Sequence, residues 1–142
     1  VGCRSKGRIM NRAEGKIDKG WGYEIHWANK DKYTGKILIF NNPGSKTSMH
    51  FHKEKDKSWF VNSGMFQLRY IDTKTAELKQ LILKEGDTYN CPPLQPHQLI
   101  SMGPEAMIIE VSTPDNGDDN YRVGPGDSQG KKVENGNENI PS

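Results

Sequence analysis

The sequence has few cysteines and no long apolar run. Cys3 and Cys91 are the only cysteines among 142 residues. A disulfide framework is therefore not expected, and we expect the protein to reside in a reducing, cytoplasmic compartment. No stretch approaches the roughly 20 consecutive apolar residues of a membrane-spanning helix, and no signal peptide is recognisable. These absences predict a chain that neither crosses a membrane nor depends on disulfides.

Hydrophobic residues are also scarce, at 32% of the chain, whereas glycine (15) and proline (8) are plentiful. A chain of this length has room for one modest core, and its many turn-forming residues favour a β fold over a helical bundle. The formal net charge is only +2, and the basic residues are not interleaved with aromatic ones. A nucleic-acid-binding function is therefore not expected.

Short runs of β-branched and aromatic residues recur between turn signals at a spacing of about ten residues. They predict nine strands, at residues 22–28, 34–41, 47–52, 57–62, 65–72, 77–83, 87–91, 97–102 and 105–112. This pattern is typical of an all-β sandwich or barrel. We expect one domain over residues 19–122, after a basic arm (1–18) and before a disordered tail (123–142) that has almost nothing apolar to bury.

Two histidines, His50 and His52, are separated by one residue within a predicted strand. Residues two apart on a strand point to the same face, so both imidazoles are expected on one side of the sheet. An isolated pair of this kind is weak evidence for a metal site. A third imidazole, that of His97, follows a glycine turn, a short strand and a proline, and this order strengthens the case.

These residues carry a resemblance to the cupin superfamily, whose two motifs are G-x5-H-x-H-x(3,4)-E-x6-G and G-x5-P-x-G-x2-H-x3-N. Every spacing is met, first at Gly44, His50, His52, Lys57 and Gly64, and then at Gly86, Pro92, Leu94, His97 and Ser101. The resemblance implies a single-domain cupin, a double-stranded β-helix or jelly-roll barrel, that pairs into a homodimer. It also implies a divalent metal ion (zinc, manganese, nickel, cobalt or iron) held by His50, His52 and His97.

Three residue identities depart from the motifs, because Lys57 replaces glutamate, Leu94 replaces glycine and Ser101 replaces asparagine. An ammonium at position 57 would repel a cation by roughly 4 kcal/mol at 4 Å and an effective dielectric of 20. Three outcomes are therefore open. The histidines alone hold the metal, or Lys57 and the imidazoles form a cationic pocket for a phosphate or carboxylate, or Glu54 or Asp56 supplies the missing carboxylate.

A narrower resemblance concerns the segments on either side of the motifs. The stretches KGWGYE (Lys19–Glu24) and IIEVSTPDNGDDNYR (Ile108–Arg122) are similar to the opening and closing segments of the cupin domain of type II mannose-6-phosphate isomerases. This similarity implies a sugar phosphate as ligand and, if the protein is an enzyme, aldose–ketose isomerisation with Lys57 or Glu110 as the base. The residues expected to contact the sugar are Trp59, Tyr70, Tyr89 and Gln98.

Two other functions stay open from the sequence. Three histidines without a carboxylate resemble the iron site of thiol dioxygenase cupins, which implies an Fe(II) oxygenase acting on a small thiol. Lysine at position 57 is also consistent with a non-catalytic cupin that has kept only the binding of a small molecule. The metal content of the purified protein distinguishes these alternatives.

Overall fold

The computed structural model describes residues 15–134, and residues 1–14 and 135–142 lie outside the described part. The described residues form eleven β-strands followed by one α-helix. In chain order they are β1 (Gly15–Lys19), β2 (Gly22–Asn29), β3 (Thr34–Phe40), β4 (Met49–Phe51), β5 (Lys57–Ser63), β6 (Met65–Ile71), β7 (Leu78–Lys84), β8 (Thr88–Cys91), β9 (His97–Ser101), β10 (Ala106–Ser112), β11 (Tyr121–Gly124) and α1 (Asp127–Glu134).

The strands form two sheets in which the paired strands run antiparallel. The six-stranded sheet has the order β1-β2-β3-β10-β5-β8, and the five-stranded sheet has the order β11-β4-β9-β6-β7. Several neighbours are distant in sequence, such as β3 and β10, because the chain passes repeatedly from one sheet to the other, as in a jelly roll. This architecture confirms the predicted all-β, single-domain jelly-roll fold.

An apolar core fills part of the space between the sheets. Trp21 stacks on Phe40 with ring centroids 4.4 Å apart, and Phe40 meets Phe66 edge-on at 5.0 Å. Four core members, Trp21, Leu38, Trp59 and Leu99, also line the cavity described below, so the core forms part of the cavity wall. The rest of the interior is left to polar side chains.

Alternation along two neighbouring strands places charged side chains inside the barrel. In β5, Lys57, Trp59 and Val61 are buried while the residues between them are exposed. In β10, every second residue from Ala106 is buried, and Glu110 is one of these. Because Glu110 and Trp59 are register partners, the parity of the two strands turns Lys57 and Glu110 towards the same interior.

The glycines of the sequence motifs mark turns with left-handed backbone conformations. Gly44, Gly64 and Gly86 have φ values of 88°, 78° and 90°, which glycine adopts without steric cost. At Gly64 an added Cβ would also lie 2.7 Å from the Cα of Ala106. Leu94, which stands where the motif has its fourth glycine, keeps this conformation with φ of 72°, at a cost of roughly 1–2 kcal/mol.

The nine predicted strands are confirmed as β2 to β10, with boundaries that shift by at most two residues. The sequence reading missed β1, which is exposed along its whole length and has no alternating apolar pattern. Its pairing with β2 through five register partners holds it in place. The predicted basic arm therefore contributes residues 15–18 to a strand, and residues 1–14 lie outside the described range.

The prediction of a disordered tail from residue 123 is wrong for residues 123–134, which form the end of β11 and helix α1. Two long-range hydrogen bonds fasten the first turn of the helix. The N–H of Gly20 donates to Ser128 Oγ at 2.9 Å, and the N–H of Lys46 donates to Asp127 Oδ2 at 2.9 Å. Composition does not reveal such tertiary contacts. No helix among the described residues has the length and apolar character needed to span a bilayer.

Candidate metal centre

A cavity of about 330 Å³ between the two sheets brings the three predicted metal ligands together. His50 on β4 is the direct register partner of His97 on β9, and His52 follows one residue after the end of β4. One nitrogen from each imidazole lies within 4.8 Å of the other two. Within the described residues, these histidines form the one cluster of three potential ligands.

Backbone carbonyls fix the orientation and the tautomer of all three imidazoles. The Nδ1 atoms of His50, His52 and His97 lie 3.0, 2.5 and 2.8 Å from the carbonyl oxygens of residues 48, 119 and 95. A carbonyl oxygen only accepts a hydrogen bond, so each Nδ1 carries the proton and donates it. Each neutral ring therefore presents the lone pair of Nε2, which is the arrangement that second-shell partners give to metal-binding histidines.

The Nε2 atom of His97 is buried and has no hydrogen-bond partner. A buried polar atom left in this state costs about 1–3 kcal/mol, and such orphaned groups are rare in folded proteins. Coordination of a metal ion would satisfy this atom, since neutral imidazole is a good ligand for zinc, iron, nickel and copper. The donor set of the three histidines thus fits a divalent metal ion.

The environment keeps the three imidazoles neutral. Burial is the largest cause, followed by the positive charge of Lys57, and together they lower the pKa of His52 to about 4. The same two causes hold the pKa values of His50 and His97 well below 6.5. Metal binding requires deprotonated imidazole, so near neutral pH no proton has to leave before coordination.

Lowering the pH from 7 to 5 is expected to destabilise the metal-free protein. A histidine of the unfolded chain takes up its proton near pH 6.5, whereas the folded pKa values of His50, His52 and His97 are lower. The unfolded state therefore binds more protons below pH 6.5, and each histidine removes up to about 1.4 kcal/mol of stability per pH unit. Urea denaturation across this range measures the slope. A His97→Gln variant should show a shallower slope, and an unchanged slope would contradict the assignment.

Lys57 lies beside the histidines, and Glu110 compensates its charge. The side chain of Lys57 is 7% exposed, its Nζ lies 4.0 Å from Glu110 Oε1, and it also lies 5.4 Å from the centroid of the Trp59 ring. A cation in the cavity would meet a paired ammonium instead of an isolated one. The repulsion anticipated from the sequence is therefore weakened by an opposite charge on the neighbouring strand.

Glu110 is an ionised carboxylate in the interior. Burial alone would raise its pKa, but three neighbouring lysines and a hydrogen bond from Trp59 outweigh burial and lower the pKa. Trp59 Nε1 donates that hydrogen bond to Oε1 at 2.8 Å. Glu110 thus contributes a fixed negative charge to the wall of the cavity.

The possibility that a neighbouring acid replaces the motif glutamate is not realised. Glu54 and Asp56 are exposed, and neither lines the cavity. Asp56 Oδ1 instead accepts a hydrogen bond from Asn90 Nδ2 at 3.0 Å. The other two departures from the motif are accommodated, since the N–H of Leu94 donates to the His52 carbonyl at 2.6 Å, and Ser101 Oγ donates to the Asn42 carbonyl at 2.5 Å.

Of the four residues expected to contact a sugar, the structure brings only Trp59 to the cavity. Tyr70 and Tyr89 pack against the apolar core, with ring centroids 6.3 Å apart. Gln98 follows His97 on β9 and faces the opposite side of the sheet, where its Nε2 donates to the Thr47 carbonyl at 2.8 Å. The predicted substrate contacts of Tyr70, Tyr89 and Gln98 are corrected accordingly.

Several polar and charged residues of the cavity wall were missed at the level of sequence. They include Glu24, His26, Lys36, Lys55 and Asp115. A signal existed for Lys36, because it is in phase with the buried residues Leu38 and Phe40 of β3. In the sheet it is the register partner of both His26 and Glu110. No comparable pattern marks Lys55 or Asp115, which lie between strands.

Comparison with known proteins establishes the fold. No family model matches the sequence, and no curated protein sequence matches it significantly. Three similar solved structures are the capsular polysaccharide assembling protein CapF from Staphylococcus aureus (TM-score 0.67, 16% identity, 77% of this chain), KdgF from Halomonas sp. (0.58, 19%, 68%), and oxalate decarboxylase from Bacillus subtilis (0.68, 17%, 82%). This chain spans about a third of the CapF and oxalate decarboxylase chains and 82% of KdgF.

The two-sheet barrel and these similarities show that the chain has the jelly-roll fold of these three proteins, and its motif residues keep the spacing on which the predicted resemblance rests. At 16–19% identity the similarity concerns the fold alone. Within that fold, the three-histidine cluster fits a divalent metal ion. The identity of the ligand has to come from the cavity itself.

Proposed function

We propose that this cupin binds a divalent metal ion through His50, His52 and His97 and holds an anionic sugar derivative, such as a sugar phosphate, in the adjoining cavity. One observation carries the proposal: three neutral imidazoles converge with Nε2 available, and the Nε2 atom of His97 is buried without a partner. The Nε2 atom of His97 is thus an acceptor without a partner, and a cation bound between the three histidines would satisfy it.

The charge of the cavity wall supports an anionic ligand. Among the described residues that line the cavity, the cationic ones are Lys19, Lys36, Lys55, Lys57 and Arg122, and the acidic ones are Glu24, Glu110 and Asp115. The wall thus has an excess of two positive charges before any metal is counted. Its volume of about 330 Å³ lies at the lower end of the range for small-molecule sites.

The isomerase function implied by the closing and opening segments assigns roles to the residues of the wall. A bound divalent ion would polarise the carbonyl and hydroxyl oxygens of an open-chain sugar. Glu110, held by Trp59 and ionised, is the better candidate for the base that moves a proton between C2 and C1. Lys57 is committed to an ion pair with Glu110, so its role is electrostatic, and Trp59 offers an aromatic wall.

Protein purified without added metal is expected to contain about one divalent ion per chain, measured by elemental mass spectrometry. A His97→Ala variant is expected to lose this ion, because it removes one of three ligands. His26→Ala is the matched control, since His26 lines the same cavity but bonds to Glu24 Oε1 at 2.8 Å and lies outside the cluster. Equal metal content in His97→Ala and wild type would contradict the proposal.

The identity of the ion separates the functional alternatives. Zinc, manganese, nickel or cobalt favours the isomerase, and iron favours an oxygenase of the thiol dioxygenase type. Absence of metal after reconstitution would leave a non-catalytic binding protein. Interconversion of aldose and ketose hexose 6-phosphates, followed with wild type and Glu110→Gln, then tests the reaction itself, and full activity in Glu110→Gln would exclude that carboxylate as the base.

A further inference from the structure

Two lysines inside the cavity converge on a single carboxylate. Lys36 Nζ lies 3.0 Å from Asp115 Oδ2, and Lys55 Nζ forms a hydrogen bond with Asp115 Oδ1. Their side chains are only 11% and 9% exposed. Each ammonium therefore engages one of the two oxygens, which makes a cradle for a group that presents two anionic oxygens on one side, such as a carboxylate or a phosphate.

The carboxylate in this cradle differs from the other acids of the cavity wall. Glu24 and Glu110 belong to strands β2 and β10, and their side chains are 14% and 5% exposed. Asp115 lies in the segment between β10 and β11, and its side chain is 37% exposed. Of the three acids, Asp115 is the one whose carboxylate can move out of the cradle without any change in a strand.

The position of Lys36 does not depend on Asp115 alone. Lys36 is anchored on β3 between two strands of the sheet, with Nζ also 3.9 Å from Glu24 Oε1. Lys55 is fixed through its backbone, because its N–H donates to Asp119 Oδ2 at 3.2 Å. If the Asp115 carboxylate moved away, Lys36 would therefore keep a second carboxylate near its ammonium, and the backbone of Lys55 would stay in place at the cavity wall.

We propose that Lys36 and Lys55 form the binding site for the anionic group of the ligand, a phosphate or a carboxylate, and that the side chain of Asp115 occupies this site until the ligand displaces it. The inference rests on the proposed function for the ligand being a sugar derivative. Asp115 has a pKa lowered to about 2, since its hydrogen bonds with the two lysines and their charges outweigh burial. Displacement therefore exchanges one anion for another and requires no protonation.

Titration with inorganic phosphate tests the site. In chelator-treated protein, Asp115→Asn is expected to bind phosphate about tenfold more tightly than wild type, because the competing anion is gone. Lys36→Met and Lys55→Met are each expected to bind about tenfold more weakly, the loss expected for one hydrogen bond between charged groups. Isothermal titration calorimetry measures the affinities. A purely structural role for Asp115 predicts a less stable protein with no gain in phosphate affinity, and that result would overturn the proposal.

Matched controls separate the site from a general effect of charge. Asp118→Asn removes the same charge from an exposed position in the same segment, and Lys79→Met removes a lysine whose side chain is 44% exposed on β7. Both should leave phosphate affinity within about twofold of wild type, since exposed charges are screened. A gain in Asp118→Asn equal to that in Asp115→Asn would refute displacement.

A measurement on the wild-type chain covers the case in which a variant does not fold. In the NMR spectrum of protein labelled with carbon-13 at the lysine Cε atoms, added phosphate is expected to shift the resonances of Lys36 and Lys55. The resonance of Lys79 is expected to stay unchanged. Assignment uses Lys36→Arg and Lys55→Arg. Shifts confined to other lysines would overturn the proposal.

Two further arms identify the anionic group and separate this site from the metal centre. Glucose 6-phosphate and glucuronate are each competed against inorganic phosphate, with glucose as the uncharged control. If only one of the two compounds competes, the site is assigned to phosphate or to carboxylate accordingly. If both compete, it is a general oxyanion site. If neither competes, a role in ligand binding is refuted. Because these titrations use metal-free protein, the site can stand if metal binding fails, and it can fail while metal binding stands.

Discussion

Replacing Glu110 with alanine is expected to lower the free energy of unfolding by about 3–5 kcal/mol. The substitution leaves the ammonium of Lys57 buried without its opposite charge, and an uncompensated charge in the interior carries a cost of this size. The side chains of Lys57 and Glu110 are 7% and 5% exposed, so bulk solvent screens the unpaired charge only weakly. Equilibrium denaturation in urea at pH 7 measures the change.

The double variant Glu110→Leu/Lys57→Met is the decisive companion. It removes both charges and replaces them with apolar side chains, so we expect it to recover most of the lost stability. Asp18→Ala is a surface control, because its ion pair with Lys16 is largely exposed and such pairs contribute little. If the double variant is as unstable as Glu110→Ala, the destabilisation comes from lost packing and not from an unpaired charge.

Replacing Lys57 with glutamate is expected to raise the affinity for zinc by about 10- to 100-fold. The change removes a positive charge that acts on all three histidines and places an oxygen ligand at the position where the cupin motif has one. A gain of this size corresponds to about 1.4–2.8 kcal/mol, which is below the roughly 4 kcal/mol of an unscreened repulsion at 4 Å and a dielectric of 20. Competition against a chromophoric chelator measures the affinity.

Lys57→Met separates the two contributions to this gain. It removes the charge without adding a ligand, so its affinity for zinc should lie between those of wild type and Lys57→Glu. If Lys57→Glu binds no more tightly than Lys57→Met, the side chain at position 57 does not reach the ion. In the metal-free state Lys57→Glu should be less stable than wild type, because two buried carboxylates would then face each other.

The parts of the molecule that follow from local pattern could be predicted. The nine central strands repeat a short apolar pattern between turn signals, and the histidine pair obeys strand parity. The third histidine was predicted because its spacing from Gly86 matches a known motif. Such features depend on residues that are close in sequence, or on a resemblance that already contains the long-range pairing.

Residues whose surroundings come from distant segments could not be predicted. Lys55 reads as a solvated lysine among alternating charges, yet it is buried because Asp115, 60 residues away, accepts its hydrogen bond. Tyr70 has the correct parity to face the interior, since it is the register partner of His97. Its side chain nevertheless packs against the apolar core instead of lining the cavity. Parity gives the side of a sheet and does not give the depth at which a side chain meets a cavity.

The docking of helix α1 has a consequence for the order in which the cavity forms. Ser128 and Gln129 line the cavity, and the hydrogen bond between Gly20 and Ser128 joins residues 108 positions apart. A contact between residues so far apart in sequence closes a large loop, and closing this loop costs chain entropy that the contact must compensate. During synthesis, the part of the cavity wall that Ser128 and Gln129 form can be completed only after these residues have left the ribosome. A nascent chain that already contains His50, His52 and His97 therefore has its ligands before it has its finished cavity.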